Sequence, residues 1–199
     1  RLLTCPRDSP HFLAALECDP AGPLQVAVCK LFAAPDAKSF SAFARVYSGT
    51  LQAGQTVKVL GEGYSAANAD EAALATVSSL SLCLARHRVE IDRAPAGTWV
   101  LINGIDAQIA KSATLVDETA GDSAVGGPWP LVPPRFDTES IVKLAVEPFK
   151  PGELPALLHG LRCVSKSYPL LRTKVEESGE HVILGTGELY MDCVMHDLR

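Results

Sequence analysis

Phe40-Ser41-Ala42-Phe43-Ala44-Arg45-Val46-Tyr47 runs straight into Ser48-Gly49, and Gln55 to Leu60 follows with Lys58 set between Val57 and Val59. Phe43, Arg45 and Tyr47 fall at every second position, the two-residue period of a strand, and Ser48-Gly49 supplies the turn. The texture extends both ways. Leu24 to Phe32 is a strand-like apolar run, and Leu80, Leu82 and Leu84 alternate with Ser81 and Cys83. Val89 and Ile91 alternate with Arg88, Glu90 and Asp92, which predicts one buried and one charged face. Pro95-Ala96-Gly97 marks a turn before Trp99 to Ile102 and then Ser112 to Val116. Short strands with regular turn signals and no helical stripe predict a closed β-barrel over residues 23–118. Before it, residues 1–22 read as an irregular lead-in that ends in the turn-forming run Cys18-Asp19-Pro20-Ala21-Gly22-Pro23.

Residues 119–136 break the pattern. Flexible Gly and Ser residues stand beside Gly126-Gly127-Pro128-Trp129-Pro130-Leu131-Val132-Pro133-Pro134, a linker composition. In residues 137–199 the rhythm changes. Ile141 to Glu147 reads as a strand, and Leu154, Leu157, Leu158, Leu161 and Val164 form a helical stripe with Pro155 in its first turn. Thr173 to Glu177 and Glu180 to Leu184 are two strands joined at Ser178-Gly179. A second helix starts at Glu188, with Tyr190, Val194 and Leu198 four apart and Leu189 and Cys193 alongside. The order βαββα is a ferredoxin-like unit without its last strand. The expected fold class is therefore mainly β plus α+β. The missing initiator Met and a last residue, Arg199, inside a helix lead to the expectation that the chain is cut from a longer one.

The 199 residues, 47% hydrophobic and 21% charged, suffice for two small domains with buried cores. A net charge of −5 excludes a broadly basic nucleic-acid binder. No run of 18 apolar residues exists, so no membrane span is expected. Nor does the N-terminus read as a signal peptide. Cys5, Cys18, Cys29, Cys83, Cys163 and Cys193 are scattered, with no C-x-x-C pair. Reduced, buried thiols are the expectation.

Neither a P-loop nor an N-K-x-D guanine-reading motif occurs. Gly185-Thr186-Gly187 lacks the third glycine of a dinucleotide fingerprint and reads as a tight strand-to-helix connection using glycine for positive φ. Cys193 and His196 have ligand spacing on a helix, but two ligands do not make a zinc site, and a core thiol beside a surface imidazole is expected. Glu176, Glu177, Glu180 and His181 flank a hairpin turn where charge is commonplace. No G-x-S-x-G elbow is present. Trp99 is expected in the barrel core or an interface rather than in a base-stacking platform, because basic neighbours are sparse in sequence. The expected catalytic, cofactor-binding and metal-binding sets are all none.

The run from Thr173-Lys174-Val175-Glu176-Glu177-Ser178-Gly179-Glu180-His181 through Val182-Ile183-Leu184-Gly185-Thr186-Gly187-Glu188-Leu189 resembles the third domain of translational GTPases of the elongation factor 2 type. Cys18 to Leu24 and Phe43 to Leu51 resemble the start and first hairpin of domain II in that family. Tyr190 stands where elongation factors usually carry His. Together with Met191 to Arg199, Ser165 to Pro169 and Pro95 to Val100, it is similar to the family's spliceosomal branch, the GTPase of the U5 small nuclear ribonucleoprotein. The Ala-rich loop at 66–75 and the linker depart from that pattern.

This resemblance implies a translation-factor-type β-barrel followed by a C-terminally truncated ferredoxin-like domain. GTP and Mg are implied only in a G domain outside this chain. The implied role is that of a non-catalytic scaffold and relay in pre-mRNA splicing, in the nucleus. Implied partners are the large U5 scaffold protein and the U5 helicase, other domains of the same protein, and U5 snRNA as an indirect contact. The alternatives are the same segment of elongation factor 2 on the ribosome, or a free-standing enzyme.

Overall fold

A computed structural model of the protein describes residues 6–34, 39–65, 71–118, 129–133 and 135–199. These fall into two compact units, residues 1–134 and 135–199.

The first unit opens with a helix where irregular chain was expected. Helix α1 (Pro10–Glu17) has Ser9 as its N-cap, whose Oγ accepts the Phe12 N–H at 3.2 Å, and Pro10 sits in its first turn. It ends at Cys18 in the left-handed conformation, φ 57°. The turn-rich run that follows is clasped to the first hairpin. Asp19 O accepts the Gly49 N–H at 2.8 Å, Thr50 Oγ1 donates to Pro20 O at 2.9 Å, and Ser48 Oγ donates to Pro23 O at 2.6 Å. Gly49 has φ +77°, and a Cβ there would stand 2.7 Å from Leu24 Cα. Only glycine meets both demands.

Among the described residues ten strands follow: β1 (Gln25–Ala33), β2 (Phe40–Ser48), β3 (Thr50–Gln52), β4 (Thr56–Leu60), β5 (Ala72–Thr76), β6 (Ser79–Leu84), β7 (His87–Ile91), β8 (Arg93–Pro95), β9 (Trp99–Asn103) and β10 (Ala113–Asp117). Eight form an antiparallel sheet in the order β5-β4-β10-β1-β2-β9-β6-β7, and β3 pairs with β8. The stretch from Ala72 to Leu84 closes the barrel, because β5 pairs with β4 at one end of the order and β6 pairs with β9 near the other. At the bend between them Val77 donates to Gln55 O at 2.9 Å and Ser78 to Asn103 O at 2.9 Å, so the ring continues through the corner. Val26, Leu31, Val46, Val57, Leu80 and Leu115 line the interior with almost no exposure.

Three expectations need correction. The stretch 66–75 is not wholly loop: 71–75 is described and carries most of β5, while 66–70 lies outside the described residues. Strand β7 does not bury one face. His87, Arg88, Val89 and Glu90 are all exposed, because β7 pairs only with β6 and overhangs the ring. The linker, mostly outside the described residues, is not free of the barrel where it is described. The Leu131 N–H donates to Thr114 Oγ1 at 2.8 Å and its side chain is buried.

The second unit contains β11 (Val142–Val146), α2 (Leu154–Ser167), β12 (Arg172–Val175), β13 (His181–Gly185) and α3 (Glu188–Leu198). Its sheet order is β11-β13-β12, all antiparallel, the arrangement of a split βαβ unit. Val146, Leu161, Val164, Leu171, Ile183, Met191 and Val194 make the core between the sheet and the two helices. Met191 belongs to it, whereas Leu189 and Cys193, expected beside the buried stripe, are exposed, Leu189 by 83%.

Candidate functional site

Among the residues singled out in the sequence, Cys5 lies outside the described residues. Gly185 and Gly187 do not use positive φ. Gly187 is extended at φ −178° and ψ 171°, a conformation open to any residue. Gly185 is needed for space: a Cβ there would collide with Met191 Sδ and lie 3.1 Å from Met191 Cγ and 3.2 Å from Tyr190 Cδ1. The connection therefore brings α3 hard against β13. It is packing, not a phosphate cradle.

Cys193 and His196 are both exposed, so the expected core thiol is a surface one. His196 Nδ1 lies 3.4 Å from Asp197 Oδ1. Among the described residues no group of three or more His, Cys, Asp or Glu is placed to hold a metal ion. The other described cysteines, Cys18, Cys29, Cys83 and Cys163, are exposed or half-buried rather than core. On α2, His159 Nε2 approaches Cys163 Sγ at 3.6 Å, a thiol–imidazole pair that no described carboxylate orients.

The hairpin charges do not form a carboxylate–histidine pair. Glu176 Oε1 takes Lys143 Nζ at 2.6 Å and Lys174 Nζ at 2.8 Å, from strands on either side of β13. The two ammonium groups hold the Glu176 carboxyl down at about 2. Ser178 Oγ donates to Glu180 Oε2 at 3.1 Å, and Glu177 lies exposed on the turn. His181 and Glu180 line a cleft of about 380 Å³ with Val146, Pro148, Pro151 and Leu154.

In the first unit a cleft of about 460 Å³ is lined by Glu62, Glu71, Gln108 and Ser112. Its carboxylates are engaged. Glu62 Oε1 accepts the Ser112 N–H at 3.0 Å and Ser112 Oγ at 2.7 Å, and Glu71 Oε2 accepts the Gly63 N–H at 2.8 Å.

The outer wall of the barrel differs. Trp99 is 41% exposed rather than core, and its ring stacks on Phe43 with centroids 4.9 Å apart and 13° between planes. Phe32 meets Phe43 edge-on at 5.9 Å. The Arg45 guanidinium lies 5.2 Å from the Tyr47 ring and 5.7 Å from Trp99, and Lys30 Nζ lies 5.0 Å from Phe32. Basic neighbours sparse in sequence are thus gathered by strand register, Arg45 opposite Trp99 and Lys30 opposite Phe43. The signal lay in the alternation of Phe43, Arg45 and Tyr47, which places all three on one face.

At the C-cap of α2 and on α3, Tyr168 and Tyr190 meet edge-to-face at 5.5 Å. The Tyr168 hydroxyl donates to Asp197 Oδ2 at 2.6 Å, and burial together with that carboxylate pushes the phenol up.

Residues 40–116 match the elongation factor Tu domain 2 family, from the start of β2 to β10; β1, outside the match, completes the same barrel. Over 193 residues, 97% of its length, the chain is 50% identical to the 110 kDa U5 small nuclear ribonucleoprotein component CLO of Arabidopsis thaliana. It is 49% identical over 193 residues to the 109 kDa U5 component GFL of the same plant. Over 179 residues it is 49% identical to the pre-mRNA-splicing factor cwf10 of Schizosaccharomyces pombe. The chain spans 18–19% of the length of these curated relatives, about a fifth.

Proposed function

We propose that the chain, which matches about a fifth of its relatives' length, is a segment of an elongation-factor-2-like U5 component and works in pre-mRNA splicing within U5 snRNP. What carries the reading is that the alignment, 50% identical over 97% of the chain, spans both structural units and not the barrel alone. Its place of work is the nucleus.

Within that role the segment is a scaffold and relay rather than a catalyst. Its two units pass on the nucleotide state of a G domain elsewhere in the same protein as rigid bodies. GTP and Mg belong to that other domain. The U5 scaffold protein and the U5 helicase are the partners, and U5 snRNA is contacted indirectly. The support is chemical: the two clefts offer engaged carboxylates and a turn, and no P-loop lysine or guanine-reading Asp is in the sequence.

The test is an affinity purification from nuclear extract of the tagged protein that contains this chain, followed by probing for U5 snRNA and ribosomal RNA. Enrichment of U5 snRNA is the expected result. Enrichment of ribosomal RNA without U5 would reassign the segment to the ribosome.

A further inference from the structure

The wall formed by β1, β2 and β9 contains no Asp or Glu, in a chain whose net charge is −5. Lys30 and Arg45 therefore stand among rings, not carboxylates, and neither makes an ion pair within the described residues. Arg45 Nε is buried without a hydrogen-bond partner. That nitrogen faces inward, but the residue is half-exposed, and a guanidinium held over two rings with no ion pair can receive an anion at its outer nitrogens, its position largely set before anything binds. Trp99 and Phe32 stay open to solvent beside it.

We propose that this strip, Lys30, Phe32, Phe43, Arg45, Tyr47 and Trp99, is a docking surface for an acidic segment of a partner protein. The segment's carboxylates meet Arg45 and Lys30, and its apolar or aromatic side chains lie on Trp99 and Phe32. Trp, Tyr and Arg gathered on one exposed patch is the composition of protein-interface hot spots. Charge complementarity selects the occupant. Two cations neutralise about two phosphates, a small electrostatic footprint for a nucleic-acid binder, so single-stranded RNA is disfavoured. The inference rests on the strip itself and stands independently of the splicing assignment.

The test uses the 199-residue chain and two labelled probes at low salt, a random copolymer of glutamate and tyrosine and an oligouridylate, read by fluorescence anisotropy. The copolymer is expected to bind more tightly than the oligouridylate. Arg45→Gln with Trp99→Ala should weaken copolymer binding about tenfold or more, the effect of losing a hot spot. Lys30→Glu disturbs no ring stack and should also weaken it, so it decides the matter if the double variant folds poorly. The proposal is overturned if the copolymer does not bind, or if its affinity is unchanged in Lys30→Glu. Tighter binding of oligouridylate through the same residues would overturn it too and make the strip an RNA surface.

Discussion

Gly185 and Gly187 look alike in the sequence, two glycines between a strand and a helix, yet they differ in kind. The side chain that decides is Met191, which packs back onto Gly185, a contact no local pattern announces. Gly185→Ala is expected to destabilise the second unit by about 1–3 kcal/mol through overpacking. Gly187→Ala, with nothing within 4 Å of a new Cβ, should change little. Hydrogen exchange at the Val182 and Ile183 amides separates the two. Glu176 gives a pH signature at the same scale. Its carboxyl lies at about 2 when folded against an ordinary 4.5, so its contribution is complete above about 4.5 and is lost as pH falls towards about 2. Glu176→Gln should flatten that acid limb in a pH series of unfolding curves, and added salt should shrink it in the parent, because the cluster is partly exposed.

The barrel strands could be read from two-residue alternation because their neighbours on both sides enforce one buried face. Strand β7 obeys the same pattern without burial, since among the described residues it pairs only with β6 and none covers it. Leu80→Ala in the ring should therefore cost about 2–5 kcal/mol. Val89→Ser on β7 should stay within about 0.5 kcal/mol, with urea denaturation reading both. Strand β5 was hidden for another reason. Ala72, Ala73 and Ala75 have little strand preference of their own, and pairing with β4 imposes the conformation. Helix α1 was legible in principle, with Ser9 as cap and Pro10 in the first turn, but eight residues carry too short a stripe to stand out. The aromatic strip was half visible: the alternation put its β2 members on one face, while Trp99 joins them only through the β2–β9 register.

At the scale of the whole molecule, a closed barrel and a split βαβ unit host many functions, and the assignment rests on sequence identity running through both. The relay role proposed above places the work of this segment in its surfaces. Such a part should be exchangeable between relatives, because its surfaces and not a chemical step define it. The direct measurement replaces the matching segment of cwf10 with this chain in Schizosaccharomyces pombe and follows pre-mRNA splicing by the ratio of spliced to unspliced transcripts. Splicing close to that of the parent strain, with the chimera co-purifying with U5 snRNA, is the predicted result. A stable chimera that reaches normal abundance but fails to enter U5 particles and leaves introns unspliced would contradict it.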